Sequence, residues 1–140
     1  MAEIYKTDLY RYGGLKGIKG LIYGFFIPGF KYTYFFRKSQ KYKKRSVLGI
    51  YYRMKIRKLS YKYGIQIPSA TNIGPGFYIG HFGNIIVSPS ANIGANCNIS
   101  QGVTIGIVQD GNLKGSPSIG DFVWIGANSV IVGNINIGKM

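Results

Sequence analysis

From residue 65 onward, one aliphatic side chain recurs every six positions. Ile67, Ile73 and Ile79 are followed by Val87, Ile93, Ile99 and Ile105, and then by Ile119, Ile125, Ile131 and Ile137. A glycine follows most of them: Gly74, Gly80, Gly94, Gly106, Gly120, Gly126 and Gly138. A period of six suits neither an amphipathic helix, with its 3.6-residue repeat, nor a two-faced strand, with its repeat of two. It suits a triangular coil in which each short strand turns one aliphatic residue inward and each corner carries Gly or Asn. Those residues reach left-handed backbone angles at little cost. Three strands make one turn, and residues 65–140 supply about four turns that bury columns of isoleucine. The phase slips twice, by two residues between Ile79 and Val87 and again between Ile105 and Ile119, which lie 14 apart rather than 12.

Residues 1–62 have a different character. Of 18 Lys and Arg, all but Lys114 and Lys139 lie there, against only Glu3 and Asp8, so the formal charge of +14 belongs wholly to this segment. It also holds ten of the twelve tyrosines and five of the eight phenylalanines. Leu48, Tyr52, Ile56 and Leu59 fall at helical spacing among Arg53, Lys55, Arg57 and Lys58, which predicts an amphipathic helix. Shorter helices are expected within residues 3–27, weakened by Gly13, Gly14, Gly17, Gly20 and Gly24. The chain thus divides into a basic, aromatic-rich, mostly helical segment over 1–62 and a β coil over 63–140. It stops at NINIGKM in mid-repeat, so further C-terminal turns are expected in a longer protein.

Composition excludes several classes. An apolar content of 46% suits a packed core rather than disorder. The longest apolar run, residues 20–30, is broken by Pro28 and falls short of the roughly 20 residues a spanning helix needs. No signal-peptide pattern follows Glu3 and Asp8, so a cytoplasmic protein is expected. The lone Cys97 excludes a disulfide framework and reads as a small buried hydrophobe.

The segments IGPGFYIGHFGN, NIGANCNISQGVTIG and SIGDFVWIGANSVIVGNINIG resemble the hexapeptide-repeat acyltransferases, above all serine acetyltransferases and their polysaccharide O-acetyltransferase relatives. The resemblance covers residues 65–140. It implies a left-handed parallel β-helix, an exception to the right-handed crossover rule, preceded by a short helical segment. It also implies an acetyl-CoA-dependent O-acetyltransferase that assembles as a homotrimer. A carbonic anhydrase of similar coil needs three histidine ligands, which one histidine cannot supply, and no metal is expected.

His81, the only histidine, lies inside the first phase slip between Gly80 and Gly83. A hydroxyl attacks a thioester slowly unless a base takes its proton, and neutral imidazole suits that task near cellular pH. The resemblance places the family's catalytic histidine at His81. It places the aspartate that orients the histidine at Gln66, which can accept a ring N–H but supplies no charge. The donor groove it implies runs along Gly102, Gly106, Gly126 and Ala127, of which the three glycines also serve as plain corner residues. Lys114, in the polar loop 106–118, is a candidate phosphate contact as well as an ordinary solvated lysine. Trp124 should point outward.

Two departures bear on the acceptor. The family's acid before the catalytic histidine is Gly80 here, and its Arg-His pair before a proline is Gly115–Ser116. Both hold serine in the family, so a sugar hydroxyl of a surface-polysaccharide precursor is the expected acceptor, held by Asn84, Ser88 and Gln101. L-serine is the alternative. Residues 1–62 are expected either to contact the inner face of a membrane, where lipid-linked saccharides reside, or to pack the trimer as a helical preface. No nucleic-acid module is recognised, so no nucleic-acid partner is expected. A non-catalytic scaffold is the remaining alternative of another class.

Overall fold

In the computed structural model, which describes residues 3–138, the six-residue period becomes a three-sided coil. Its first turn holds β1 (Ile65–Gln66), β2 (Asn72–Ile73) and β3 (Tyr78–Ile79). The second holds β4 (Ile85–Val87), β5 (Asn92–Ile93) and β6 (Asn98–Ile99). The third holds β7 (Thr104–Gly106), β8 (Ser118–Ile119) and β9 (Trp124–Ile125), and the fourth β10 (Val130–Val132) and β11 (Asn136–Ile137). Each strand pairs in parallel with the one three earlier, giving sheets β1-β4-β7-β10, β2-β5-β8-β11 and β3-β6-β9. The fold is a mainly β, left-handed parallel β-helix with helices at its N-terminal end. Lys139 and Met140, the end of the last expected repeat, lie outside the described residues.

The predicted inward residues are buried from Ile67 to Ile131, and Ile137 is half-buried. Cys97 is buried among them, and burial pushes its thiol above the usual range. A second inward row, two residues before the first, is buried as well: Ile65, Ile85 and Val103 on the first side, Thr71 and Ala91 on the second, Phe77 and Cys97 on the third. Spacings along the sheets locate both irregularities. Ile65 pairs with Ile85, 20 residues on, and Val87 pairs with Ile105, 18 on. The first excess of two therefore sits at the corner that carries His81. Asn92 pairs with Ser118, 26 on. The second irregularity is thus an insertion of eight residues rather than a slip of two, a difference that a period of six cannot register. It forms a hairpin-like excursion pinched by an antiparallel bridge between Val108 and Gly115.

Four helices precede the coil: α1 (Ile4–Tyr10), α2 (Gly17–Gly24), α3 (Pro28–Lys41) and α4 (Val47–Tyr63). The Ser46 hydroxyl caps α4 by accepting the Gly49 N–H, and Gly64 ends it in a left-handed conformation. α3, opened by Pro28 at its first turn, is the helix the sequence pattern did not reveal. Its buried face carries Phe30, Tyr32, Phe36 and Arg37 onto the coil. Gly29 permits the approach, because a Cβ there would overlap the Ile79 carbonyl oxygen.

These helices close the lower end of the coil with side chains in place of a missing turn. β1, β2 and β3 are edge strands, and edges leave backbone groups unpaired. The Tyr32 hydroxyl donates to the Ile67 carbonyl at 3.3 Å and accepts the Ile67 N–H at 3.0 Å. Tyr12 does the same for Ile79, at the same two distances. Burial raises both phenol pKa values and keeps them protonated as donors. Arg37 donates to the carbonyls of Ile73 and Gly74, each at 2.7 Å, and Asp8 accepts the Phe77 N–H at 2.8 Å. Tyr12→Phe or Tyr32→Phe leaves a buried N–H and carbonyl without their partner, which costs about 1–3 kcal/mol per unsatisfied group. Denaturant titration of either variant should show that loss, whereas Tyr61→Phe, on an exposed residue, should show little.

Candidate active site

His81 stands in the two-residue excess between β3 and β4, exposed, and among the described residues its side chain makes no hydrogen bond. Gly83 takes φ +114°, a value L side chains rarely adopt, so the chain can bulge there. The neighbouring Phe82 packs on Tyr63 at the end of α4, with ring centroids 5.7 Å apart, which pins the bulge to the helical segment. The imidazole is thereby displayed on a rigid corner and committed to no internal contact.

The same corner recurs in each turn. Gly64, Asn84, Gly102 and Asn128 all take left-handed angles there. The Gly102 N–H donates to the Gly83 carbonyl at 2.9 Å, and the Asn128 N–H donates to the Gln101 carbonyl at 3.0 Å. Six of the predicted site residues therefore share one stacked edge: His81, Asn84, Gln101, Gly102, Gly126 and Ala127. Asn84 and Gly102 owe their identities at least partly to backbone geometry, and a Cβ on Gly102 would overlap the Asn128 side chain. Gly126 differs, since a Cβ there meets nothing within 4 Å. The coil does not require that glycine, and its bare backbone beside the histidine edge leaves room for a ligand to lie against the strand end.

The other predicted residues lie along or beyond the first sheet. Gln66 is on its outer side, in register with Ile86, and lines a groove with Arg53, Arg57 and Ser60 rather than a contact with His81. Gly106 ends β7, in register with Val132. Ser88 is buried at the far corner, where its hydroxyl lies 3.1 Å from Ser90 and 3.5 Å from Ser116. Lys114 is exposed in the excursion, which folds against the fourth turn: the Asn134 N–H donates to the Leu113 carbonyl at 2.9 Å. Sequence spacing missed the Ser88–Ser90–Ser116 hydroxyl cluster, because Ser116 reaches it only across the inserted residues. Trp124 points outward, 77% exposed. Among the described residues, no three His, Cys, Asp or Glu side chains converge as metal ligands.

No family model matches the chain. A serine acetyltransferase of Staphylococcus epidermidis is 40% identical over 74 residues, 53% of this chain and 35% of that protein. One from Synechococcus elongatus is 33% identical over 76 residues, 54% of this chain and 31% of that protein. The chain thus spans about a third of the length of the curated relatives it matches. Among solved structures, serine acetyltransferase isoform 3 of Entamoeba histolytica, in complex with cysteine, superposes with a TM-score of 0.69 at 29% identity. The match covers 96% of this chain and 48% of that one. The Neisseria gonorrhoeae enzyme in complex with serine gives 0.70 at 27% identity, over 97% of this chain and 56% of that one. The Brucella abortus enzyme in complex with coenzyme A gives 0.76 at 22% identity, over 97% and 55%, a likeness of fold.

Proposed function

We propose that this chain, whose coil is similar to that of serine acetyltransferases, is a hexapeptide-repeat acyltransferase, an acetyl-CoA-dependent O-acetyltransferase with His81 as general base. The observation that carries this is the lone imidazole, exposed and uncommitted, on the corner edge it shares with the open Gly126. Acetyl-CoA lies along that edge, against Gln101, Gly102, Gly126 and Ala127, in a homotrimer. The neutral ring of His81 takes the proton of the acceptor hydroxyl as its oxygen attacks the thioester carbonyl. The carbon–sulfur bond then breaks, and the imidazolium returns the proton to the leaving thiolate. Gln66, on the outer side of the first sheet, is at most a positioning residue.

The similar proteins favour L-serine as acceptor over the saccharide hydroxyl expected first. One observation still speaks for a saccharide. A bound amino acid must find partners for a carboxylate and an ammonium group, since a desolvated unpaired charge is expensive. Gly80, Gly115 and Ser116 supply neither charge. A sugar needs only neutral hydrogen bonds, which Asn84 and Gln101 offer on the histidine's own edge. Among the described residues no helix is long and apolar enough to cross a membrane, and the helical segment instead holds the enzyme against an anionic membrane face, within reach of a lipid-carried acceptor.

Thiol release from acetyl-CoA, followed with L-serine and with a panel of monosaccharides and lipid-linked saccharides, tests the assignment. Saturable release with serine establishes the first reading, and release only with a saccharide establishes the second. No His81-dependent release with any of them overturns both.

A further inference from the structure

No Asp or Glu occurs between Asp8 and Asp110, so α3 and α4 carry no negative side chain. The outward half of α4 is nevertheless not simply polar. Val47, Ile50, Met54 and Tyr61 recur at helical spacing and are exposed, Val47 to 85% and Met54 to 65%. They form a bare apolar ridge along a 17-residue helix. Cations line both flanks. On one side Lys55, Lys58 and Lys62 meet Lys31 of α3 around a groove of about 340 Å³ floored by Phe35 and Leu59. On the other, Arg53 and Arg57 line a groove of about 310 Å³ with Ser60 and Ser69. There the Arg53 Nε–H is buried without an acceptor.

We propose that α4 is an interfacial helix that docks on an anionic bilayer, its apolar ridge at the acyl boundary and its two cationic flanks on headgroup phosphates. An exposed apolar stripe between two rows of cations is the pattern of helices that lie in the plane of a membrane surface. Phosphate oxygens supply what both grooves lack. Guanidinium forks match phosphate geometry, and the orphaned Arg53 Nε gains an acceptor. Clustered lysines with no internal counter-ion repel one another until an anion is present. A free polyanion would satisfy the cations but would leave the ridge of Val47, Ile50, Met54 and Tyr61 in water. The bilayer accounts for both features. The inference rests on the membrane contact proposed above and is independent of the acetyl transfer.

The test is cosedimentation with vesicles of phosphatidylglycerol and phosphatidylcholine, at low and high salt, beside pure phosphatidylcholine. The wild-type chain should bind the anionic vesicles at low salt and be released at high salt. Met54→Asp, and separately Lys55→Glu with Lys58→Glu, should each weaken binding at least about tenfold. Their thermal unfolding and their acetyl transfer to a soluble acceptor should be unchanged. If the wild type ignores anionic vesicles, the membrane contact itself is wrong. If it binds and the α4 variants bind equally well, the contact stands and the assignment to α4 falls. The assignment also falls if Met54→Asp alters only the oligomer's size, or if only the charge reversals weaken binding and a DNA duplex binds in place of the vesicles.

Discussion

Replacement of His81 by Asn should lower turnover at least about 100-fold while the protein melts as before. General-base catalysis contributes roughly 10²–10⁴-fold, and Asn can hydrogen-bond but cannot hold the proton. His81 is exposed and, among the described residues, its side chain bonds to nothing, so its removal takes nothing from the fold. Steady-state kinetics with saturating acetyl-CoA measure the effect, and it should fall on kcat rather than on KM for either substrate. Near-normal turnover would remove His81 from the chemistry and leave the family likeness as a likeness of fold.

The largest loss of stability is expected from Asp8→Ala. Asp8 is fully buried, and its carboxylate meets Arg37 through Nε at 2.8 Å and Nη2 at 3.1 Å while accepting the Phe77 N–H. Burial pushes this carboxyl upward, and the guanidinium and the backbone N–H pull it back down. The substitution leaves Arg37 charged, buried and without its counter-ion, and breaking such a pair by removing one partner costs about 3–5 kcal/mol. Phe77 also loses its acceptor at the edge of β3. The melting temperature should fall by about 10 °C or more. The Glu3 pair with Lys38 and Lys41 is the contrasting case. Hydrogen bonds from Lys41 and Lys38 hold the Glu3 carboxyl down at about 2, yet this is a surface pair, and such pairs contribute about 0–1 kcal/mol. Glu3→Gln should therefore change the melting temperature little. The small contribution of Glu3 is present above the ordinary carboxylate range and is lost as the pH falls toward 2. A collapse in Glu3→Gln as large as that in Asp8→Ala would contradict this ordering.

The coil was legible because its cause is periodic. Each turn must place one aliphatic residue in each column, and the sequence repeats at that interval from Ile67 to Ile137. The second inward row, two residues before the first, was not legible, since it mixes Ile65, Thr71, Phe77, Ile85, Ala91, Cys97 and Val103 and so shows no single residue type at its period. The closure at the lower end left no trace either. Tyr12, Tyr32 and Arg37 reach backbone groups 67, 35 and 36 residues away, and no local pattern records such contacts. α3 was hidden by its own composition: Pro28 reads as a break, and the aromatic run from Phe30 to Phe36 has no clear polar face. At the site, the chemistry of His81 could be argued from one residue and its glycine neighbours. Which other residues share its edge could not, because membership depends on the lengths of two irregularities. Gln101 arrives beside the histidine through the first excess alone, and Ala127 only after the eight inserted residues have been passed.

That insertion has a consequence for how a protein of this shape changes its surface. The excursion leaves the coil after Ile105 and returns before Ile119, and both isoleucines keep their places in the buried columns. Its length is therefore uncoupled from the winding of the coil, and lengthening such a loop adds closure entropy only slowly. The molecule behaves like a spool with an exchangeable attachment: a different sequence between residues 106 and 117 alters the surface laid against the fourth turn and leaves the corner that displays His81 where it is. That one surface segment can then drift by substitution while the hydrophobic columns stay under unchanged constraint. Two descendants of one ancestor can differ wholly in this segment and remain superimposable everywhere else.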